Sequence, residues 1–90
     1  MPDRARINYN LGLLLQHLKR DSEAEVALAK AMILEPDNMD YLYALADYYV
    51  KRSKFREAKP IAEQMVARHP AMQVGHNLLS ITNRKLDQTI

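Results

Sequence analysis

The sequence predicts an all-α fold built from antiparallel helical hairpins, and three observations support this prediction. Apolar residues recur at helical spacing in five segments, one pattern returns with a 34-residue period, and no segment shows the alternation of a strand. The repeat is clearest between Ser22–Pro36 and Arg56–Pro70, where a glutamate, an alanine and the final proline align. A fixed period of this length is typical of stacked helical hairpins. We therefore predict an α-α superhelix of two full 34-residue repeats and a C-terminal capping helix.

Five helices are predicted from the apolar spacing and from residues that start or stop helices. Proline marks two of the ends, because it disfavours helical geometry in the residue before it. In chain order the predicted spans are 5–18, 22–35, 39–52, 53–69 and 73–86.

Polar residues at the helix starts predict the caps. Ser22, with Glu25 three residues later, has the form of a capping box. Asp37 or Asn38 is placed to cap the third helix, and Ser53 the fourth.

One proline falls inside a predicted helix. Pro60 lies about two turns into the fourth helix, where it removes a backbone hydrogen bond and crowds the preceding turn. We expect a bend or a local opening between Arg56 and Pro60. The alternative is a helix that begins at Pro60.

Small residues recur where two helices of a hairpin should meet. Gly12, Ala46 and Ser80 are spaced by one repeat period and lack a bulky side chain, so a partner helix can approach closely there. Ala24 and Ala58 are the matching small residues predicted on the partner helices. Each hairpin would then keep an apolar face that only a neighbouring hairpin can cover.

With these positions the chain resembles the tetratricopeptide repeat family. The family's leucine-glycine pair corresponds to Leu11-Gly12 and its closing proline to Pro36. Its large inner residue corresponds to Leu15, and its alanine-large-alanine ladder to Ala24, Leu28 and Ala31. In the second repeat the signature positions hold Leu42, Leu45, Ala46, Tyr49, Ala58, Ala62, Met65 and the closing Pro70. The resemblance implies one domain over 1–90, with repeats 5–38 and 39–72 and a capping helix 73–88, and this domain could belong to a longer array.

The composition suits a small soluble domain and excludes several classes of protein. The 90 residues carry a net charge of +2, too small to argue for nucleic acid without clustering. There is no cysteine, and therefore no disulfide, thiolate metal site or thiol nucleophile. No apolar run approaches a membrane-spanning length, and the N-terminus lacks the apolar core of a signal peptide. Cytoplasmic localisation is the default expectation.

No combination of residues indicates catalysis or a cofactor. His69 and His76 are close in sequence, but Pro70 breaks the helix that would align them as metal ligands. Paired acidic residues lie at helix starts, where they complement the helix dipole. We therefore expect no enzyme activity and no cofactor.

A stripe of semi-exposed residues recurs on the first helix of each repeat. Tyr9 and Tyr43 are one repeat period apart, on the side that lines the concave groove in the family. The i, i+4, i+7/8 spacing adds neighbours to this stripe, and aromatic side chains are favoured binding anchors. The resemblance implies a peptide groove lined by Tyr9, Leu13, Gln16, His17, Tyr43, Asp47, Val50, Lys51, Asn77, Ile81 and Arg84.

The resemblance implies a non-catalytic module that binds an extended or helical peptide of a partner protein and serves in scaffolding or assembly. The groove positions favour an apolar or mixed segment over a free C-terminal carboxylate, because Asp47 would repel a carboxylate. A structural alternative is the end of a longer array that associates with itself or its parent chain. We expect such association through the first helix, whose apolar residues cover most of its circumference.

Basic residues gather at one predicted edge, near the turns that follow the first helices. They complement the negative helix ends in the simplest interpretation. The alternative is a docking edge for an acidic protein or for nucleic acid, as in a nucleic-acid accessory protein. Nucleic acid is disfavoured, since the aromatic interleaving of a single-strand binder is missing. The edge comprises Lys19, Arg20, Lys51, Arg52, Lys54, Arg56, Arg84 and Lys85.

Overall fold

The computed structural model describes residues 4–88, and every regular element within them is an α-helix. The helices are α1 (Arg4–His17), α2 (Asp21–Leu34), α3 (Met39–Lys51), α4 (Phe55–Arg68) and α5 (Gln73–Asp87). No strand occurs in this part of the chain, so the predicted all-α class is confirmed. Each predicted helix end lies within two residues of the observed one.

The chain divides into two compact units, one ending at Leu45 and the other beginning at Ala46, inside α3. In the first unit α1 packs against α2, and in the second α4 packs against α5. Helices adjacent in sequence thus pack in pairs, which is consistent with an α-α superhelical repeat arrangement.

The repeat period is visible in the turns that follow α1 and α3. Lys19 and Ser53, one period apart, have positive φ angles of 64° and 58°. A backbone hydrogen bond of 2.8 Å closes each turn, from Arg20 N–H to Leu15 O and from Lys54 N–H to Tyr49 O. A left-handed residue followed by a bond that reaches back five residues is a common helix end. Both turns therefore have the same backbone design.

This turn explains why two of the predicted caps are wrong. The N-cap of α2 is Arg20, which makes no side-chain capping bond, and Ser22 lies inside the first helical turn. The N-cap of α4 is Lys54, also without a side-chain bond, while Ser53 is the left-handed residue. Because the backbone bond of the turn fixes where the next helix begins, the serines do not occupy the capping position.

The predicted asparagine cap of α3 is confirmed. Asn38 Oδ1 accepts hydrogen bonds from the backbone N–H groups of Asp40 at 3.0 Å and Tyr41 at 3.3 Å. The corresponding N-cap of α5 is Met72, which makes no side-chain capping bond. The two helices therefore begin at the same position of the repeat, but only one has a side-chain cap.

Helix α4 continues through Pro60 from Phe55 to Arg68. The alternative start at Pro60 and the predicted local opening are therefore wrong, and a bend there stays a prediction. The φ angle of proline is compatible with a helix, so the missing N–H costs one hydrogen bond without ending the helix.

Glycine allows α1 and α2 to approach closely, as predicted, but the residue that fills the space is a leucine. An ideal Cβ built on Gly12 would lie 2.6 Å from both Cγ and Cδ2 of Leu28. Leu28 and Ala24 are fully buried. The glycine therefore makes room for a large side chain of α2.

The prediction that Ser80 lies at a close helix contact is wrong, because Ser80 is exposed. The buried residues of α5 are Gly75, Leu78 and Thr82. Gly75 lies against α4, where its ideal Cβ would be 3.1 Å from Met65 Cβ. α5 thus packs on α4 with the side that carries Gly75. Among residues 4–88 no helix covers the side that carries Ser80.

Candidate peptide-binding surface

Tyr9 forms part of the predicted stripe but is held in place by the core. Its ring centroid lies 5.0 Å from that of Tyr41, with the rings tilted by 42°. Tyr41 belongs to a buried cluster with Ala5 and Ala31, and Tyr9 packs against this cluster while staying partly exposed. An ordered aromatic ring loses little conformational freedom on binding, which favours it as an anchor.

Tyr43 is the exposed tyrosine of α3. It is 41% exposed, whereas Tyr41, Tyr48 and Tyr49 are buried. Residues two apart in a helix point about 200° apart, so Tyr43 faces away from the side on which Tyr41 packs. The structure therefore leaves an aromatic side chain uncovered at the position that the sequence assigned to binding.

The rest of the stripe in the first unit lies on α1. Leu13 follows Tyr9 by one helical turn and is 40% exposed. Gln16 is half-buried and His17 is exposed at the end of the helix. This stripe offers an apolar section followed by a polar one.

In the second unit the stripe on α3 contains an ion pair that was not among the predicted features. Lys51 Nζ lies 2.9 Å from Asp47 Oδ2, and the Asp47 side chain is the more buried partner. Val50 beside them is half-buried. An acidic residue followed four positions later by a lysine is the pattern from which such a pair could have been predicted. Asp47 therefore has a cationic partner within its own helix.

The predicted residues of α5 form a polar-edged stripe. Asn77 is exposed and accepts a hydrogen bond of 3.1 Å from Gln73 Nε2. Ile81 is half-buried and Arg84 exposed. The spacing of 4 and 3 residues keeps these three on one side of the helix.

Several residues of the predicted basic edge make contacts within the chain. Arg20 pairs with Glu23 at 2.8 Å, between exposed side chains. The Arg52 guanidinium lies 3.9 Å from the centroid of the Tyr48 ring and donates to the Tyr48 carbonyl oxygen at 3.3 Å. Lys51 of this edge is likewise paired with Asp47. Part of the basic edge is therefore engaged in contacts within the chain.

The histidines and acidic residues form no metal site in the described residues. Residues 4–88 contain no group of three or more His, Cys, Asp or Glu side chains that could hold a metal ion. His76 Nε2 donates to the carbonyl oxygen of Pro70 at 2.8 Å, so it stabilises the turn before α5. None of the helices described has the length and apolar character needed to span a membrane.

Comparison with known proteins gives one partial relative. The chain is 37% identical over 62 residues to the human (Homo sapiens) protein O-mannosyl-transferase TMTC3. This match covers 69% of the chain and 7% of that protein, so the chain spans a small part of its relative's length. No protein-family model matches the chain. The similarity to this relative and the all-helical hairpin arrangement are together consistent with a tetratricopeptide-repeat-like fold.

Proposed function

We propose that this chain is a non-catalytic protein-interaction module that binds a peptide segment of another protein through the stripes on its first helices. The observation that carries the proposal is the exposure of Tyr43 on α3. Aromatic residues that remain uncovered on a rigid helix are typical anchors of protein interfaces. Tyr9 and Leu13 supply further apolar area on α1 of the same unit.

The chemistry of these residues favours an apolar ligand anchor. Positions that would hold Lys, Asn and Arg in a carboxylate-binding groove of the family are here occupied mainly by apolar residues and by Asp47. Since Asp47 is already paired with Lys51, it offers little net charge to either an acidic or a basic ligand. Burial of apolar surface on Tyr43 and Leu13 would then supply most of the binding free energy.

A peptide-display selection tests the proposal. The library should present 12-residue segments both inside a loop and with a free C-terminus, and the selected peptides should then be titrated by fluorescence anisotropy. Tyr43→Ala should weaken binding by about 1–3 kcal/mol. Tyr43→Phe is the matched control, because it keeps the ring, and should bind nearly as well as the original chain.

Two outcomes would contradict the proposal. One is a Tyr43→Ala variant that is folded and binds as tightly as the original chain. The other is selection of peptides that require a free terminal carboxylate and lose binding when it is amidated.

Catalysis and nucleic-acid binding are the weaker candidates. The transferase activity in the name of the relative belongs to a protein of which this chain matches 7%. Partial use of the basic edge in contacts such as Arg20–Glu23 lowers the charge available for phosphates. A gel shift that depends steeply on salt would support nucleic-acid binding instead.

A structural function is the second candidate, and one observation favours it. Large apolar side chains stay exposed on the first hairpin away from the Tyr9 stripe, including Ile7, Leu14, Val26 and Ile33. Exposed apolar groups that are contiguous mark surfaces that another protein element covers.

A further inference from the structure

An open apolar stripe runs along α1 and into the turn that follows it, and consists of Ile7, Leu11, Leu14 and Leu18. Their exposures are 62%, 44%, 54% and 54%. Spacings of 4, 3 and 4 residues put them on one line along the helix, the pattern of a helix that packs lengthwise against another. The stripe is separate from the Tyr9 and Leu13 side of α1.

The corresponding sides of α3 and α5 are covered by another helix. Tyr41 lies one repeat period after Ile7 and is buried in a cluster with Ala31 of α2. Gly75, one further period along the chain, lies against Met65 of α4. In α3 and α5 this side therefore packs on a preceding second helix. The corresponding residue of α1, Ile7, is exposed, and no helix among residues 4–88 covers it.

A second apolar stripe lies beside the first, on α2. Val26 and Ile33 are 55% and 71% exposed and two helical turns apart. The exposed Lys30 lies between them and lines both of the clefts described next. A cleft of about 360 Å³ joins the two helices, with Leu11 and Leu15 on one wall and Val26 on the other. A second cleft brings Ile33 next to the beginning of α1. The two stripes thus form one face, which we call the open face.

We propose that the open face is a self-association surface, in which α1 of each copy packs against α2 of a second copy. The two copies would be related by a twofold axis parallel to the helices, so that each α1 runs antiparallel to the α2 that it contacts. The result is a four-helix arrangement of two hairpins. Such an interface is self-complementary and closed, as expected for a homodimer.

Charge distribution selects this pairing over α1 against α1. Residues 4–20 contain four Arg and Lys residues and no acid, whereas residues 21–37 contain five Asp and Glu residues and one Lys. Two α1 helices side by side would oppose like charges. In the antiparallel α1–α2 pairing, the basic end of one α1 comes near the acidic start of α2 in the other copy, and Arg4 comes near Glu35. Glu23 at that acidic start is already paired with Arg20 of its own chain, so the other acidic residues of α2 carry this complementarity. Complementary charge at the rim fixes the orientation of an interface.

Within the described residues, α5 has no exposed large apolar side chain. The outer side of α5 presents Ser80 and Asn83, both exposed and polar. A head-to-tail contact between α5 and the open face would bury these polar groups against leucines, which costs free energy. The association is therefore expected to stop at the dimer.

The size of the face predicts a weak dimer. Two 14-residue helices form a surface of roughly 20 by 20 Å. This is below the area of a standard stable interface, so we expect a weak dimer that dissociates on dilution.

Sedimentation of the full chain over a concentration series from about 5 to 500 µM tests the proposal, because a weak dimer forms progressively over such a range. The average mass should rise toward that of a dimer. Leu14→Asp and Val26→Lys should each stay folded and monomeric over the same concentration series. Leu13→Asp, one residue away on the other side of α1, is the matched control and should still dimerise. A monomer at every concentration, or loss of dimerisation in the Leu13→Asp control, would overturn the proposal.

Mixing the two monomeric variants tests the pairing itself. In a mixed dimer, Asp at position 14 of one copy faces Lys at position 26 of the other, while the second α1–α2 contact keeps the original Leu14 and Val26. Mixed dimers should therefore form where neither variant dimerises alone. Failure of the mixture to dimerise, with both variants folded by circular dichroism, would overturn the α1–α2 pairing. Dimerisation of either variant alone would do the same.

Discussion

Tyr41 and Gly75 lie one repeat period apart, each in the third position of its helix, and each faces the last turns of the helix before it. In the first unit the large Tyr41 shares a cluster with the small Ala31. In the second unit the arrangement is reversed, and the glycine lies against the fully buried Met65. Side-chain volume has been exchanged between the two helices while the backbone period is kept. The repeat thus constrains the volume shared by two positions more than the residue type at either one.

The largest effect should follow from disturbing this balance in the second unit. Gly75→Tyr copies the first unit on one helix only and forces a ring into a space that Met65 fills. We expect a loss of about 3 kcal/mol or more in the free energy of unfolding. Urea denaturation followed by circular dichroism measures it.

A double variant tests whether the two positions share one space. Met65→Ala alone should cost about 2–5 kcal/mol, because it leaves a cavity. Met65→Ala combined with Gly75→Tyr recreates the pair of the first unit, so its loss should be smaller than the sum of the two single losses. Strict additivity would show that the two positions pack independently.

The next effect concerns Gly12, whose counterpart in the second repeat is Ala46. Gly12→Ala should lower the free energy of unfolding by about 1 kcal/mol. The new methyl group must displace Leu28, and this cost exceeds the gain in helix propensity of about 1 kcal/mol. Asn10→Ala, on the exposed side of α1, is the control and should stabilise by a few tenths of a kcal/mol in the same thermal denaturation assay. A more stable Gly12→Ala variant would mean that Leu28 moves aside freely.

A smaller gain should come from giving α5 the cap that α3 has. Met72→Asn places an acceptor where Asn38 caps the corresponding helix, and should stabilise by about 0.5–1 kcal/mol. Met72→Ala removes the same apolar side chain without adding an acceptor, so it isolates the capping effect. If both variants have the same melting temperature, the asparagine makes no cap.

The smallest effect is expected at the left-handed turn residues. Ser53→Gly relieves the steric cost of positive φ and should stabilise by about 0.5 kcal/mol. Lys54→Gly is the control one residue later, where φ is −92° and glycine gives no such relief. Equal responses of the two variants in chemical denaturation would contradict a strained backbone at Ser53.

Helix number, class and limits could be predicted because they depend on local signals. Apolar spacing and prolines place all ten helix ends to within two residues. The capping positions of α2 and α4 were predicted wrongly at Ser22 and Ser53. The positive φ of Lys19 and Ser53 has no sequence signature, and it decides where the next helix begins. The close contact of Gly12 was predicted, but Leu28 as the side chain that fills it depends on how two helices meet.

For the candidate site, the sequence predicted which residues share a helix side but not their neighbours. The exposure of Tyr43 follows from its helical position relative to Tyr41. The ring contact between Tyr9 and Tyr41 joins residues that are far apart in the sequence, and no local pattern reports it. The pair of Asp47 and Lys51 has a clear local pattern, so it could have been predicted.

The short connections inside the hairpins also bear on how the chain folds. Residues 18–20 link α1 to α2, and residues 69–72 link α4 to α5, so the helices that pack together are close neighbours in the sequence. Chains dominated by such local contacts fold in about microseconds to milliseconds, because little entropy is lost in closing each loop. During synthesis, each hairpin would form soon after its second helix leaves the ribosome. The apolar residues between its two helices would then be buried before they could contact another nascent chain.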